Sequence, residues 1–188
     1  MNADWYYRRA SVRKMLNPDG SFLDHVLRFL AIFLALALSL FAAELTPPAQ
    51  RWIVEPWTEA VARAAAFAIT SFDTSVIASG RQLLDRLTGQ GVSIEAGCNG
   101  LEAMILLAAA MLAFPASWAR RLGGIALGGI AVQALNLVRI ATLFYLSRWN
   151  AAAFEWTHLY LWQPLIMVDV LVVWLVWLRW ARKEPRAA

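Results

Sequence analysis

The sequence is poor in the charged residues that water-soluble proteins carry on their surfaces. Charged residues make up 16% of its 188 residues and hydrophobic residues 60%, against roughly 25% and 45–50% in ordinary soluble domains. This composition excludes intrinsic disorder and collagen-like sequence. A soluble domain of this size also has too little interior to bury so much apolar surface. The mean hydropathy of +0.53 therefore indicates a membrane protein.

Cysteine and histidine are scarce as well. The single cysteine, Cys98, excludes a disulfide within the chain. The two histidines, His25 and His158, fall on opposite sides of the membrane in the topology predicted below, so they form no zinc-binding set with Cys98. We expect neither a metal nor another cofactor, and we assign His25 no role.

Four apolar runs approach the roughly 20 residues that a membrane-spanning helix needs. They cover residues 26–43, 101–118, 123–146 and 162–180. The first run is longer than the roughly 7–15 apolar residues of a signal peptide and lacks a convincing cleavage site. We therefore interpret it as a retained anchor.

Lysine and arginine residues in the short flanks predict the orientation, since such residues accumulate on the cytoplasmic side. They precede the first run, separate the second from the third, and follow the fourth. Four crossings put all these flanks in the cytoplasm and leave 44–100 and 147–161 outside. The basic residues are Arg8, Arg9, Arg13, Lys14, Arg120, Arg121, Arg179, Arg182, Lys183 and Arg186. We predict an all-α, polytopic membrane helical bundle with about four transmembrane helices.

The outer segment 44–100 contains a run, 57–79, that is apolar enough to suggest a fifth crossing. A crossing there would put Arg63 and Asp73 in hydrocarbon and would reverse some of the basic flanks. We interpret 57–79 instead as an amphipathic helix on the outer interface or against the bundle. Glycines punctuate 89–95, which we expect to be a brief extended approach to the next helix.

The predicted topology also gives the domain organisation. Residues 1–25 form a basic cytoplasmic segment, 26–180 a single integral membrane domain, and 181–188 a basic cytoplasmic tail. Although the pI is near 9.7, the basic groups are split among three flanks and form no patch with interleaved aromatic residues. We therefore expect membrane lipids as partners and no nucleic acid. Each basic residue near an anionic lipid surface contributes about 1 kcal/mol to the attraction between the protein and that surface.

Polar side chains inside the predicted spans carry most of the functional information, because a charge at bilayer depth is costly. Arg139 and Asp169 lie about 10 Å below the outer ends of their helices. Asn136 shares a helix face with Arg139, and Glu102 lies about one turn into the second span. One hypothesis is a structural pair of Arg139 with Asp169 or Glu102 in a non-enzymatic protein, such as a transporter subunit or an assembly factor.

Two reactive groups on the same side favour an enzyme instead. Cys98 precedes the second span and His158 the fourth, so both reach the outer boundary, toward which Arg139 extends from the third. A thiol beside an imidazole is typical of nucleophilic acyl transfer, in which His158 takes the Cys98 proton and later protonates the leaving amine. Arg139 would stabilise the thiolate or the oxyanion. Gly97 and Gly100 allow a peptide carbonyl to approach the backbone closely.

The segments around these residues are EAGCNGLEA at 95–103, FPA at 114–116 and LNLVRI at 135–140, followed by His158. In this order they resemble the exosortase/archaeosortase family, most closely its short exosortase H branch, over roughly residues 89–177. The resemblance implies that Cys98, Arg139 and His158 are the catalytic residues of a membrane cysteine transpeptidase or protease. Asn99 departs from the serine of many members but fits the short branch. The residues expected to support catalysis or bind substrate are Asn99, Gly100, Asn136, Glu102 and Asp169.

The resemblance also implies a substrate and a location. The targets would be exported proteins with a C-terminal sorting signal that consists of a short motif, a transmembrane helix and a basic tail. For the short branch the motif resembles Ile-Pro-Thr-Leu. The enzyme would cleave at the outer face of the bacterial inner membrane, facing the periplasm, through a thioester on Cys98. An unidentified envelope acceptor, or water, would then receive the target.

Overall fold

The computed structural model describes residues 20–181, with side chains from Leu23 onward. The basic residues predicted in cytoplasmic flanks at 1–19 and 182–188 lie outside the described residues. The division of the chain after residues 25 and 180 stays a prediction.

Helices make up most of the described chain, and a small sheet interrupts them. The helices are α1 (Gly20–Glu44), α2 (Pro47–Ala49), α3 (Glu55–Thr70), α4 (Leu101–Ala113), α5 (Trp118–Trp149), α6 (Ala151–Trp156) and α7 (Gln163–Ala181). Two π-helical segments, π1 (Gln50–Val54) and π2 (Thr157–Trp162), join α2 to α3 and α6 to α7. The strands β1 (Val76–Ser79), β2 (Gln82–Asp85) and β3 (Gly91–Ser93) lie between α3 and α4 along the chain.

Three helical segments have the length and apolar composition to cross a membrane. They are Leu23–Glu44, Trp118–Trp149 and Ala151–Ala181. This confirms the prediction of a helical membrane protein. The described residues contain three helical segments of spanning length, whereas the sequence predicted about four. The difference is α4, whose 13 residues extend about 20 Å, less than the roughly 30 Å of a hydrocarbon core. It ends at Phe114, which is extended because a following proline disfavours the helical conformation.

The third and fourth predicted spans are also longer than expected. Helix α5 begins at Trp118 and has 32 residues. The last segment begins at residue 151 rather than 162, because the Asn150 side chain accepts a hydrogen bond from the Ala153 amide (3.0 Å) and caps a new helix. His158 therefore lies within this helical segment, whereas the sequence analysis put it before the span.

Each π-helical segment ends two residues before a proline. Segment π1 ends at Val54, before Pro56, and π2 ends at Trp162, before Pro164. Proline has no amide hydrogen, and its ring clashes with the carbonyl four residues earlier, so the preceding turn does not close with α-helical hydrogen bonds. A wider turn with i→i+5 bonds accommodates the ring and lets the helix continue.

The run 57–79 is a helix for about two thirds of its length. Helix α3 is amphipathic, and its buried residues follow helical spacing: Thr58, Val61, Ala62, Ala65, Ala66 and Ile69. It is not among the helices long and apolar enough to cross a membrane. The last third of the run leaves the helix, and an Asp73 side chain that accepts the Ser75 amide (3.0 Å) turns the chain into β1.

The sequence analysis missed an antiparallel sheet with strand order β1-β2-β3. Strand β1 pairs with β2 from Val76 opposite Asp85, and β3 lies within the predicted extended stretch 89–95. The inner face of the sheet, with Leu83 fully buried, packs against α3 and against Phe144 of α5. The outer segment is thus a helix and a sheet on the end of the bundle.

Arg148 holds the sheet to the outer end of α5. Its guanidinium contacts the Asp85 carboxylate at 2.5 Å and the Asp73 carboxylate at 3.9 Å. The Tyr145 hydroxyl donates to Asp73 at 2.9 Å. A backbone hydrogen bond from Leu87 is the largest cause of the lowered Asp85 pKa, to which Arg148 also contributes.

We predict that the ion pair between Arg148 and Asp85 stabilises the fold less in acid. The Asp85 pKa is lower in the folded chain than in the unfolded chain. The ionised carboxylate therefore stabilises the fold fully at pH values above the pKa of the unfolded chain. This stabilisation is lost as the pH falls through the pKa of the folded chain. Asp85→Asn should lower the thermal unfolding midpoint in detergent at pH 7, and the difference from the wild type should shrink below about pH 4. Glu59→Gln, in an exposed pair with Arg63, is the matched control and should change little. A difference for Asp85→Asn that is independent of pH would contradict the assignment.

Candidate active site

Cys98 lies in the tight loop that leads from β3 into α4. Its amide donates to the Glu95 carbonyl (2.9 Å), and glycines flank it at positions 97 and 100. Gly97 has a φ of +83° and Gly100 a φ of +75°, a conformation that glycine adopts without strain. These two glycines let the loop bend sharply on both sides of Cys98. The Cys98 thiol is half-buried and lies just before the first turn of α4.

Three side chains from three elements meet at the sulfur. Cys98 Sγ lies 3.2 Å from His158 Nε2 and 3.3 Å from Arg139 Nη2. Cys98 comes from the loop, Arg139 from α5, and His158 from π2. The structure therefore brings together the three residues that the sequence analysis proposed as catalytic.

Arg139 is one of the most buried side chains of the site, with 2% of its surface exposed. Its Nη1 donates to the Gly97 carbonyl (3.4 Å) and its Nη2 lies 3.5 Å from Gln163 Oε1. Within residues 20–181 it forms no ion pair with Asp169 or Glu102. The structural pair is thus wrong, because the guanidinium is directed at the sulfur and the cysteine loop.

Glu102 reaches the same loop from the first turn of α4. Its Oε1 accepts a hydrogen bond from the Gly97 amide at 2.5 Å. Since Arg139 binds the carbonyl of Gly97, two opposite charges hold this residue from both sides and fix the backbone next to Cys98. Asp169, by contrast, has no hydrogen bond or ion pair to Cys98, Arg139 or His158 in the described structure, and its Oδ2 is buried without a partner.

Asn99 ties the loop to the rest of the fold. It is fully buried; its Oδ1 accepts from the Leu101 amide (2.9 Å) and its Nδ2 donates to Thr58 (3.0 Å). The Asn99 carbonyl accepts from Trp57 Nε1 and Gln133 Nε2, both at 3.2 Å. The position after the nucleophile is thereby fixed to α3 and α5 at once.

Gly100 and Asn136 complete this support. A Cβ on Gly100 would lie 2.5 Å from Gln133 Nε2 and 3.1 Å from Asn136 Nδ2, so any larger residue must displace the Gln133 amide. Asn136 is fully buried and donates to Gln133 Oε1 at 3.4 Å. The sequence analysis named Asn136 and Gly100 but missed Gln133, Trp57 and Thr58. The available signals were Gln133, a polar residue inside the predicted span 123–146 and three residues before Asn136, and Thr58, a polar residue on the buried face of α3.

The environment of the sulfur favours the neutral thiol at rest. Burial raises the Cys98 pKa above its ordinary value and is the largest effect. The Arg139 guanidinium opposes it, while the charges of Glu102 and Glu95 raise the pKa further. His158 Nε2 lies within hydrogen-bond distance of this thiol and could accept its proton.

In the part of the chain that the structure describes, no group of three or more His, Cys, Asp and Glu residues has the arrangement of a metal site. The side chains near the sulfur are an imidazole and a guanidinium. A thiol beside an imidazole is an arrangement that can support nucleophilic acyl transfer.

Fold and site together define a polytopic helical membrane protein with a thiol, an imidazole and a guanidinium clustered at one end of its bundle. A model of the transmembrane exosortase family matches residues 25–168, a range that includes all three residues. This match covers more than half of the chain, and the chain therefore belongs to the transmembrane exosortase family. It is a membrane sorting enzyme of the exosortase type. No curated protein and no solved structure matches it.

The raised thiol pKa leads to a prediction for Cys98 reactivity, which is readily measured because the chain has one thiol. Alkylation by a small reagent requires the thiolate, so its rate should rise with pH. The midpoint of this rise should lie above about 8.5, the pKa of an ordinary cysteine. Arg139→Gln removes the opposing charge and should shift the midpoint to higher pH. Arg63→Gln, at an exposed position far from the sulfur in the sequence, is the control. Identical profiles for all three proteins would exclude an electrostatic role for Arg139.

A second prediction separates backbone strain from crowding at the loop. Gly89→Ala puts a Cβ into open space at a φ of +70°, so it should cost only the left-handed strain, about 1–2 kcal/mol. Gly100→Ala adds a collision with Gln133 and should break its bond to the Asn99 carbonyl, at about 1 kcal/mol more. Thermal unfolding in detergent measures both variants. Equal losses would show that Gln133 yields without cost.

Proposed function

We propose that this chain is a membrane cysteine transpeptidase or protease that cleaves sorting signals of exported proteins. The observation that carries the proposal is the 3.2 Å contact between Cys98 Sγ and His158 Nε2, with Arg139 Nη2 at 3.3 Å from the same sulfur. Membership of the exosortase family supports the same activity. The matching segments around Cys98 and Arg139 favour its short exosortase H branch.

The first half of the reaction forms a thioester. His158 Nε2 takes the Cys98 proton while the sulfur attacks the scissile carbonyl carbon, and the carbonyl electron pair moves onto oxygen. The imidazolium then protonates the leaving amine as the carbon–nitrogen bond breaks. The part of the target beyond the cleavage site departs, and the exported part stays bound to Cys98.

The second half transfers the target. His158 takes a proton from the acceptor, which attacks the thioester, and the imidazolium returns a proton to the departing sulfur. With water as acceptor the target is released; with an amine or hydroxyl of the envelope it is attached.

Arg139 is best placed to stabilise the thiolate rather than the oxyanion. Its two terminal nitrogens already contact Cys98 Sγ, the Gly97 carbonyl and Gln163 Oε1. The side chain is also almost fully buried, so a carbonyl that approaches from the open side does not reach it easily. A cation this close to sulfur lowers the cost of forming the thiolate in a partly desolvated site.

The charge distribution supports a site on the outer face of a bacterial inner membrane. Arg120 and Arg121 lie at the opposite end of α5 from Arg139, about 28 Å away along the helix. Arg120 donates to the carbonyls of Trp180 and Ala181, so the end of α7 with Arg179 is beside it. Basic residues mark the cytoplasmic side, which leaves Cys98 toward the periplasm.

That orientation suits the substrate class implied by the family. A target with a short motif, one transmembrane helix and a basic cytoplasmic tail would present its motif just outside the membrane, at the level of Cys98. The tail would lie near the basic end of the bundle, where anionic lipids neutralise like charges. For the short branch we propose a motif that resembles Ile-Pro-Thr-Leu.

The test is processing of a tagged target that ends in motif, helix and basic tail, co-expressed with the enzyme and followed by blotting. Cys98→Ala should abolish processing. His158→Gln should slow it by about 10²–10⁴-fold, the usual contribution of a general base. His25→Gln, a histidine to which we assign no role, is the matched control and should process normally. Normal processing by Cys98→Ala at equal expression would refute the proposed function.

A further inference from the structure

Gln163 reaches the sulfur from the same helical segment as His158. It is the first residue of α7, directly after π2. Its Oε1 lies 3.5 Å from Arg139 Nη2, and the same nitrogen lies 3.3 Å from Cys98 Sγ. Because both contacts share one nitrogen, Gln163 Oε1 is at most about 7 Å from the sulfur. That is the range in which groups on an acyl chain bound to Cys98 would lie.

The contact with Arg139 fixes which way the Gln163 amide points. A guanidinium only donates hydrogen bonds, so the amide atom that faces it is the oxygen. The nitrogen, with two donor hydrogens, is therefore directed away from Arg139. Within residues 20–181 it makes no hydrogen bond, and the residue is exposed. Gln163 thus has free donors next to the Cys98–Arg139 pair.

The π-helical turn brings Gln163 to this position. In an α-helix two residues five apart point about 140° away from each other, because each residue turns the chain by about 100°. The wider turn of π2 uses i→i+5 bonds and moves such positions toward one face. His158 and Gln163 are five apart, and both contact the Cys98–Arg139 pair. Pro164, which forces the wide turn, directly follows Gln163.

The site needs a donor of this kind. When the sulfur attacks, negative charge develops on the carbonyl oxygen, and its stabilisation is usually a large part of the rate enhancement. The amide of the nucleophile, a common donor for that oxygen, is engaged with the Glu95 carbonyl. The terminal nitrogens of Arg139 already contact the sulfur, the Gly97 carbonyl and Gln163, and its Nε, which has no partner within residues 20–181, is buried. His158 must carry the proton, and Gln163 offers an exposed side-chain amide close to the sulfur.

We propose that Gln163 is a further catalytic residue, whose side-chain nitrogen donates a hydrogen bond to the oxyanion of the tetrahedral intermediate. The inference rests on the proposed acyl transfer. As the sulfur–carbon bond forms, the electron pair on oxygen is held by Gln163 while His158 holds the proton. As the carbon–nitrogen bond breaks, the pair returns to re-form the carbonyl, the proton passes to the leaving amine, and the thioester remains.

Two substitutions and two measurements test this role. Gln163→Ala removes the donor, and Gln163→Glu keeps an oxygen for Arg139 but also removes the donor. Both should lower the rate of target processing by about 10²-fold, as loss of an oxyanion donor does. Alkylation of Cys98 passes through no oxyanion, so its rate with Gln163→Ala should match the wild type at each pH. Gln82→Ala, an exposed glutamine on β2, should leave both rates unchanged.

Slow processing with normal alkylation supports the proposal and also shows that Gln163→Ala is folded. Normal processing by either variant would overturn it. So would a loss of processing in Gln163→Ala that is matched by an equal slowing of alkylation, because Gln163 would then act by positioning Arg139. If Gln163→Ala does not fold, the processing rate of Gln163→Glu decides. Processing that survives Cys98→Ala would instead refute the proposed function itself, whatever Gln163 does.

Discussion

The site depends on one buried cation, the guanidinium of Arg139. A charge in a low-dielectric interior is stable only with several polar partners, and here they are a carbonyl, a sulfur and an amide oxygen. These partners belong to the cysteine loop and to the start of α7, which are far apart in the sequence. The requirement to satisfy Arg139 therefore draws Cys98 and the helix that carries His158 to the same point on α5.

The outer segment makes that arrangement rigid. Asn99 is held by donors from α3 and α5, and the sheet before it is held to α5 by the pair of Arg148 with Asp85. The loop between them has little freedom, although it contains two left-handed glycines. In the proposed reaction such a frame is useful, because a displacement of about 1 Å can cost as much as 10²-fold in rate. Helix α3 and the sheet thus hold the cysteine loop in place together with α5.

The sequence predicted the membrane class, because composition and apolar runs can be read directly from it. It also predicted the convergence of Cys98, Arg139 and His158, because a charge inside a span is costly and the predicted topology put all three residues at the same boundary. It did not predict the sheet, since strands of three and four residues form only against the faces of α3 and α5. The length of α4 was overestimated because the apolar run was followed through Pro115 to residue 118, whereas that proline ends the helix at Ala113. Gln163 was missed because its direction depends on the π turn before Pro164, which shifts the helical register.

The resting protonation of Cys98 limits how the proposed reaction starts. Many cysteine enzymes hold a thiolate beside a charged imidazole, but burial here raises the thiol pKa in spite of Arg139. Each unit of that rise costs about 1.4 kcal/mol in forming the thiolate. Proton transfer to His158 is then best coupled to attack on the substrate, when the new sulfur–carbon bond disperses the charge. In the proposed mechanism His158 is therefore a general base in the attacking step, and Arg139 keeps the cost of the transient thiolate low while the substrate excludes water.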